Sequence, residues 1–218
     1  MQKPLAAFAF MHRRRMKKLK ASILLSLAIA ATGCALPLQY SAVALTFPEG
    51  NNHCSATYVA PNTILAAAHC FWGDEMGKVV PQRFKVGKGE WEQLRVIAND
   101  KNDHLFICTY TTSKHYAVFG SWPAVGSRIT MWGNTGQPEG LLYREGYISG
   151  DRKANDLIYE GIQHLFVLTS DGGDSGSGLF YRNRLVGMIT GGSGSFSRAL
   201  PFKFTPEQFT SIHSCEIK

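Results

Sequence analysis

"HCSATYVAPNTILAAAHC", residues 53–70, reads as two short strands folded about a turn. Apolar, β-branched and aromatic residues run through "SATYV" and "TILAA", and "APN" between them supplies the turn signal. Cys54 and Cys70 bracket the pair, close enough in the chain to be clasped by a disulfide in an oxidising compartment. His69 stands at the end of the hairpin, after three alanines and before a cysteine. A lone histidine in such a place is usually structural, so its reading depends on a partner elsewhere.

That partner is "TSDGGDSGSGLFY", residues 169–181. Glycine loses more backbone entropy than any other residue, so the four glycines around Asp174 and Ser175 answer a local demand. Read together, "AAAHC" and "GDSGS" resemble the trypsin/chymotrypsin-like serine peptidases, in which "TAAHC" carries the general base and "GDSGG" the nucleophile. The order His, Asp, Ser is also that of this family. The resemblance spans roughly residues 45–210, with a compactness like that of the bacterial branch. It implies an all-β fold of two antiparallel six-stranded Greek-key β-barrels with a C-terminal helix. The N-terminal barrel is expected over residues 45–118, and the C-terminal barrel and helix over 119–218. "TTSKHYAVFGSWPAVG", 111–126, is the expected linker.

The acid must lie between the two motifs, where "LRVIANDKNDHLFICTY" offers Asp100 and Asp103. The family sets its aspartate immediately before an apolar strand, and "DHLFI" starts such a strand at Asp103; Asp100 reads as a loop residue in "NDKND". His104 departs from the apolar residue usual after the acid. Three further stretches, "ITMWGNTG", "YREGYISG" and "LVGMITGG", resemble strands of the second barrel.

The chemistry explains the residue types. A serine hydroxyl is a poor nucleophile and needs an adjacent base to take its proton. Histidine can accept that proton and return it to the leaving group, while a buried aspartate holds the useful tautomer. The resemblance implies those roles for Ser175, His69 and Asp103, and an oxyanion hole from the backbone amides of Gly173 and Ser175. It also places Thr169, Ser170, Thr190, Gly191 and Gly192 around the substrate pocket, neutral and open, unless Asp171 turns in and attracts a cation. Zymogen-type relatives pair the residue at Asp174 with a new N-terminus before an "IVGG"-like segment, which this sequence lacks. An internal partner is expected, Arg128 in "GSRITMW" or else backbone amides alone.

At the other end, "HRRRMKKLK" followed by "ASILLSLAIAA" has the form of an export signal over residues 1–33. Met11 and Met16 are alternative starts. Its apolar run is too short to span a bilayer as a helix. Two exits are open. "AATGC" resembles a bacterial lipobox, which implies lipidation of Cys34 and a tether over 34–44; "AVA" at 42–44 fits the small-x-small cleavage rule. Five cysteines are odd for an exported chain, and giving Cys34 to lipid leaves four to pair. Cys108 and Cys215 would then form a second disulfide or remain two free thiols. Thr205, Pro206 and Gln208 in "TPEQFTSIHSC" carry the signals of a helix start.

The net charge of +7 gives no support for a nucleic-acid partner. Residues 1–33 hold seven of the 23 Lys+Arg and no acid, which leaves 16 against 16 Asp+Glu in the body. No Cys/His cluster has metal-ligand spacing, and no cofactor is implied. The expectation is an exported serine endopeptidase acting on protein or peptide, held at a membrane by a lipid anchor. The alternatives are an inert fold serving as an anchored binding module and an esterase-type acyl hydrolase. Nothing in the sequence speaks to oligomeric state.

Overall fold

The computed structural model describes residues 38–48, 53–134, 140–155, 160–193 and 195–215. The leader and Cys34 lie outside the described residues. Among the described residues, thirteen strands build two antiparallel sheets. The first holds β1 (Ala42–Thr46), β2 (His53–Ala60), β3 (Thr63–Ala67), β4 (Arg83–Val86), β5 (Trp91–Gln93), β6 (Val96–Asn99) and β7 (His104–Cys108). Its order is β5-β4-β1-β2-β3-β7-β6, a curled sheet with two edges. The second comprises β8 (Arg128–Asn134), β9 (Leu141–Asn155), β10 (Glu160–Val167), β11 (Gly178–Tyr181), β12 (Arg184–Ser193) and β13 (Phe196–Ala199). It closes on itself in the order β10-β13-β12-β11-β8-β9. The all-β, chymotrypsin-like expectation holds. The first sheet differs in detail, because a β4–β5 hairpin gives it a seventh strand and its edges stay open.

The expected hairpin is β2–β3, paired from Ala56↔Ala66 to Ala60↔Thr63. Both strands are buried nearly throughout, because alternation sends their side chains into two different cores. Ala56, Tyr58, Ile64 and Ala66 pack inside the first sheet with Phe71, Phe84 and Leu105. Val59, Leu65 and Ala67 face the other way, toward Phe180, Leu185 and Met188 of the second barrel. That middle core also receives helix α1 (Pro206–Ser211) through Phe209, and Phe204 stacks on Phe106 at 3.9 Å. Burying a phenylalanine is worth about 2–3 kcal/mol, so this layer fixes the two sheets against each other. The second barrel has its own core of Ile129, Met131, Ile148, Phe166, Leu179 and Ile189.

Helix α1 starts where the sequence signals say. Thr205 and Gln208 form a reciprocal capping box, with Pro206 in the first turn. Two disulfides, Cys54–Cys70 and Cys108–Cys215, use the four cysteines of the body. The second ties β7 to the segment after α1. No helix among the described residues is long and apolar enough to cross a membrane.

Candidate active site

β3 and β7 pair with Ala67 opposite His104. The chain leaves β3 into one 3-10 turn, Ala68–Phe71, and enters β7 directly after Asp103. The register therefore delivers His69 and Asp103 to one corner. The His69 N–H donates to Asp103 Oδ1 at 2.8 Å, and His69 Nδ1 lies 2.7 Å from Oδ2. The Asp103 carbonyl accepts the Ala68 N–H at 2.9 Å. Donation from Nδ1–H to the carboxylate leaves Nε2 as the basic nitrogen of the ring. Asp103 is buried, whereas the His69 side chain is 27% exposed. Aspartate tolerates the left-handed backbone that Asp103 adopts, φ +70°, better than most residues.

Asp100 has a different task. Its carboxylate accepts the N–H groups of Asn102 (2.7 Å), His104 (3.2 Å) and Lys203 (2.9 Å), and lies 2.6 Å from His104 Nδ1. Burial pushes this carboxyl up, but His104 and the backbone donors outweigh that and hold it below the usual value. Asp100 is a loop residue, as expected, but a buried and hydrogen-bonded one. It organises the turn that presents Asp103, and it explains why a histidine can replace an apolar residue at 104.

Ser175 lies in the loop between β10 and β11. Gly173 and Gly176 both have left-handed backbones, φ +100° and +90°, and a Cβ on Gly176 would strike the Ser55 carbonyl oxygen. The same Cβ would lie 3.3 Å from Ala67 N, so the loop abuts the end of β3, two residues before His69. The amides of residues 173–177 fall into two sets. Those of Asp174, Gly176 and Ser177 donate to Asp171, Ile189 and Asp174 carbonyls at 3.1, 2.8 and 2.9 Å. Those of Gly173 and Ser175 have no protein acceptor among the described residues.

Asp174 is fully buried and pairs with Arg144, not Arg128. It also accepts the Asp171 N–H at 2.7 Å. Burial pushes its carboxyl above the usual value, and the Asp171 N–H and the Arg144 charge pull against that. Arg144 further binds Asp171 at 3.0 Å and the Thr169 carbonyl at 3.0 Å. The Asp171 carboxylate is therefore held outward by a cation. Arg128 pairs with Glu145 on the surface. Parity along β8 explains this: Ile129 and Met131 point into the core, so Arg128 points out.

The residues expected around a substrate pocket separate in the same way. Ser170 Oγ lies 2.7 Å from Ser197 Oγ, and a side chain on Gly192 would collide with Ser170 Oγ. The neighbouring Gly191 faces the Arg198 guanidinium, and the Thr190 hydroxyl donates to the Arg198 carbonyl at 3.3 Å. Thr169 is exposed, with its carbonyl on Arg144. Ser197 joins Ser170 because β13 sets it opposite Gly192, a pairing that leaves no local mark in the sequence. Among the described residues no cluster of His, Cys, Asp and Glu could hold a metal.

A model of the Trypsin family matches residues 37–211. No curated protein matches the chain. Among solved structures, the active form of the Rv3671c protease from M. tuberculosis is similar at TM-score 0.64 and 14% identity. That match covers 85% of this chain and 86% of the other. The inactive form of a serine-to-alanine mutant of Rv3671c, from M. tuberculosis H37Rv, has TM-score 0.63 and 13% identity, with 86% and 94% covered. At such identities the likeness is one of fold.

Proposed function

The chain belongs to the trypsin family, and from that premise we propose that it is a serine endopeptidase working through Ser175, His69 and Asp103. His69 Nε2 takes the Ser175 proton as the hydroxyl oxygen attacks the scissile carbonyl carbon. The same proton passes to the leaving amine as the acyl-enzyme forms, and water then releases the acyl group by the reverse roles. Asp103 orients the imidazole and balances its positive charge. The oxyanion of each tetrahedral intermediate is bound by the N–H groups of Gly173 and Ser175. The observation that carries this reading is the pair of unengaged amides flanking Asp174, beside the bonded amides of Asp174, Gly176 and Ser177. One such donor is worth about 3–4 kcal/mol to the transition state.

Two disulfides fit an oxidising, extracellular or periplasmic setting. Export through the leader, with Cys34 as the lipidated N-terminus, belongs to the same proposal. β1 supports that exit over the other. A cut after Ala44 would remove three of the five residues of β1 and their pairing with Ser55, Ala56 and Thr57.

One experiment tests both halves. A fluorophosphonate probe should label the mature protein at Ser175 and leave Ser175→Ala unlabelled at unchanged melting temperature, and mass spectrometry should find a diacylglyceryl Cys34 at its N-terminus. Equal labelling of Ser175→Ala sinks the nucleophile assignment. Turnover of esters but never of peptides points to the acyl-hydrolase alternative.

A further inference from the structure

Ser55 sits on β2 of the first sheet, whereas Ser175 lies in a loop of the second barrel, and the Ser55 side chain is turned away from Ala56 and Tyr58 and toward that barrel. It is fully buried. Its hydroxyl donates to the Gly173 carbonyl at 2.8 Å and accepts the Asn134 N–H at 2.8 Å. A carbonyl can only accept and an amide can only donate, so the direction of the Ser55 proton is fixed. The Ser55 backbone N–H donates to the Ser175 carbonyl at 2.7 Å, and the Ser55 carbonyl stands against Gly176.

We propose that Ser55 is a positioning residue for the oxyanion-binding amides, an inference that rests on the reading above. The two residues proposed to bind the oxyanion, Gly173 and Ser175, are each gripped at the carbonyl by this one residue. The grip matters most at Gly173. It follows Gly172, and two successive glycines leave the direction of the 173 N–H poorly restrained by sterics. The carbonyl and N–H of Gly173 lie in successive peptide planes joined at its Cα, so anchoring the carbonyl from across the sheet boundary narrows the rotations that set the aim of the N–H. Through Asn134 the same hydroxyl ties the loop to the end of β8. No ligand contact is assigned to Ser55; it acts through Gly173 and Ser175.

Thr57 supplies an internal control. It lies two residues along, on the same face of β2, also buried, and its Oγ1 accepts the Gly178 N–H at 3.0 Å. It bridges the same two sheets without touching Gly173 or Ser175.

The test compares Ser55→Ala, Ser55→Cys and Thr57→Val with wild type. The readouts are kcat and KM on a peptide substrate, and Ki for a peptidyl trifluoromethyl ketone, in which the serine oxygen bonds the ketone carbon and the carbonyl oxygen becomes an oxyanion. Losing a whole oxyanion donor costs about a hundred- to a thousandfold, so a misaimed donor should cost about ten- to a hundredfold. Ser55→Ala is expected to lower kcat by that factor and raise the ketone Ki in parallel, with KM within threefold. Thr57→Val is expected to leave kcat within threefold. If Ser55→Ala fails to fold, Ser55→Cys decides, since its thiol is a weak donor of similar shape and kcat should again fall. Wild-type kcat and ketone affinity in a folded Ser55 variant overturn the proposal, as does an equal loss in Thr57→Val. A wild-type protein that neither turns over peptide nor binds the ketone refutes the peptidase reading itself, before any Ser55 variant is made.

Discussion

Replacing Arg144 by methionine keeps much of its stem and removes the cation that faces Asp174. Because Asp174 is fully buried, its carboxylate then has two courses. It stays charged with only the Asp171 N–H as partner, which for a broken buried pair costs about 3–5 kcal/mol. Or it takes a proton. From an ordinary value of 3.8, binding that proton at pH 7 costs about 1.4 kcal/mol for each of roughly three pH units, a ceiling near 4.4 kcal/mol. Arg144 is itself mostly buried, at 17% exposure, so solvent compensates little, and a loss of about 3 kcal/mol at pH 7 is expected. The sign with pH follows from the raised value of Asp174. Between the unfolded and the higher folded value only the folded state holds the proton, so stability rises as pH falls through that window. Without Arg144 the window reaches further up, and the deficit should shrink by about 1 kcal/mol on going from pH 7 to 5.5, where protonation costs about 2.3 kcal/mol against about 3 for the unpaired charge. Urea unfolding of Arg144→Met in a Ser175→Ala background, which prevents self-cleavage, measures both quantities. A variant as stable as its parent, or a deficit unchanged between the two pH values, refutes the reasoning. So does a larger loss in Arg128→Met, whose exposed pair should be silent.

Asp100→Asn should lower stability by about 2–4 kcal/mol and kcat by about tenfold, since one amide oxygen cannot replace a carboxylate that accepts from Asn102, His104 and Lys203. A solvated loop residue would give no change in either, by denaturation and steady-state kinetics. Because the Asp100 value is held down, its contribution is present above the ordinary 3.8 and is lost as pH falls below it. Acid unfolding followed by near-UV circular dichroism should therefore begin below about pH 4, and Asp100→Asn should lack that component. Cys215→Ser opens a closure of sequence separation 107 and should cost about 4–5 kcal/mol in urea unfolding, from loop entropy alone.

His69, Asp103 and Ser175 stood out in the sequence because the roles proposed for them call for a local signature: a histidine ending a hairpin, an acid opening a strand, a serine among glycines. What held them in place was less visible. Arg144 serves Asp174 because β9 pairs with β8 in the register Met131↔Arg144, a fact about two strands and not about either. A signal existed all the same. Gly146 and Ile148 mark the inward row of β9, and Arg144 shares their parity, whereas Arg128 shares the outward row of β8. Ser55 and Thr57 likewise read as ordinary strand residues, since nothing local reveals that their face meets a second sheet. Asp100 reads as a loop residue and is one, but "NDKND" carries no mark of its burial, since only the fold brings Lys203 down onto it.

The two disulfides also impose an order on making the protein. Cys54 and Cys70 are 16 residues apart and close a loop within the first sheet. Cys108 completes that sheet, but its partner, Cys215, follows every strand of the second barrel. A chain emerging N-terminus first therefore carries an unpaired thiol through the appearance of the entire second barrel. Early closure of the Cys54–Cys70 loop leaves Cys108 no wrong partner within the body, so the order of synthesis itself selects the native pairing. A chain cut short anywhere in the second barrel keeps that thiol. It is thereby marked, for any oxidoreductase that meets it, as unfinished.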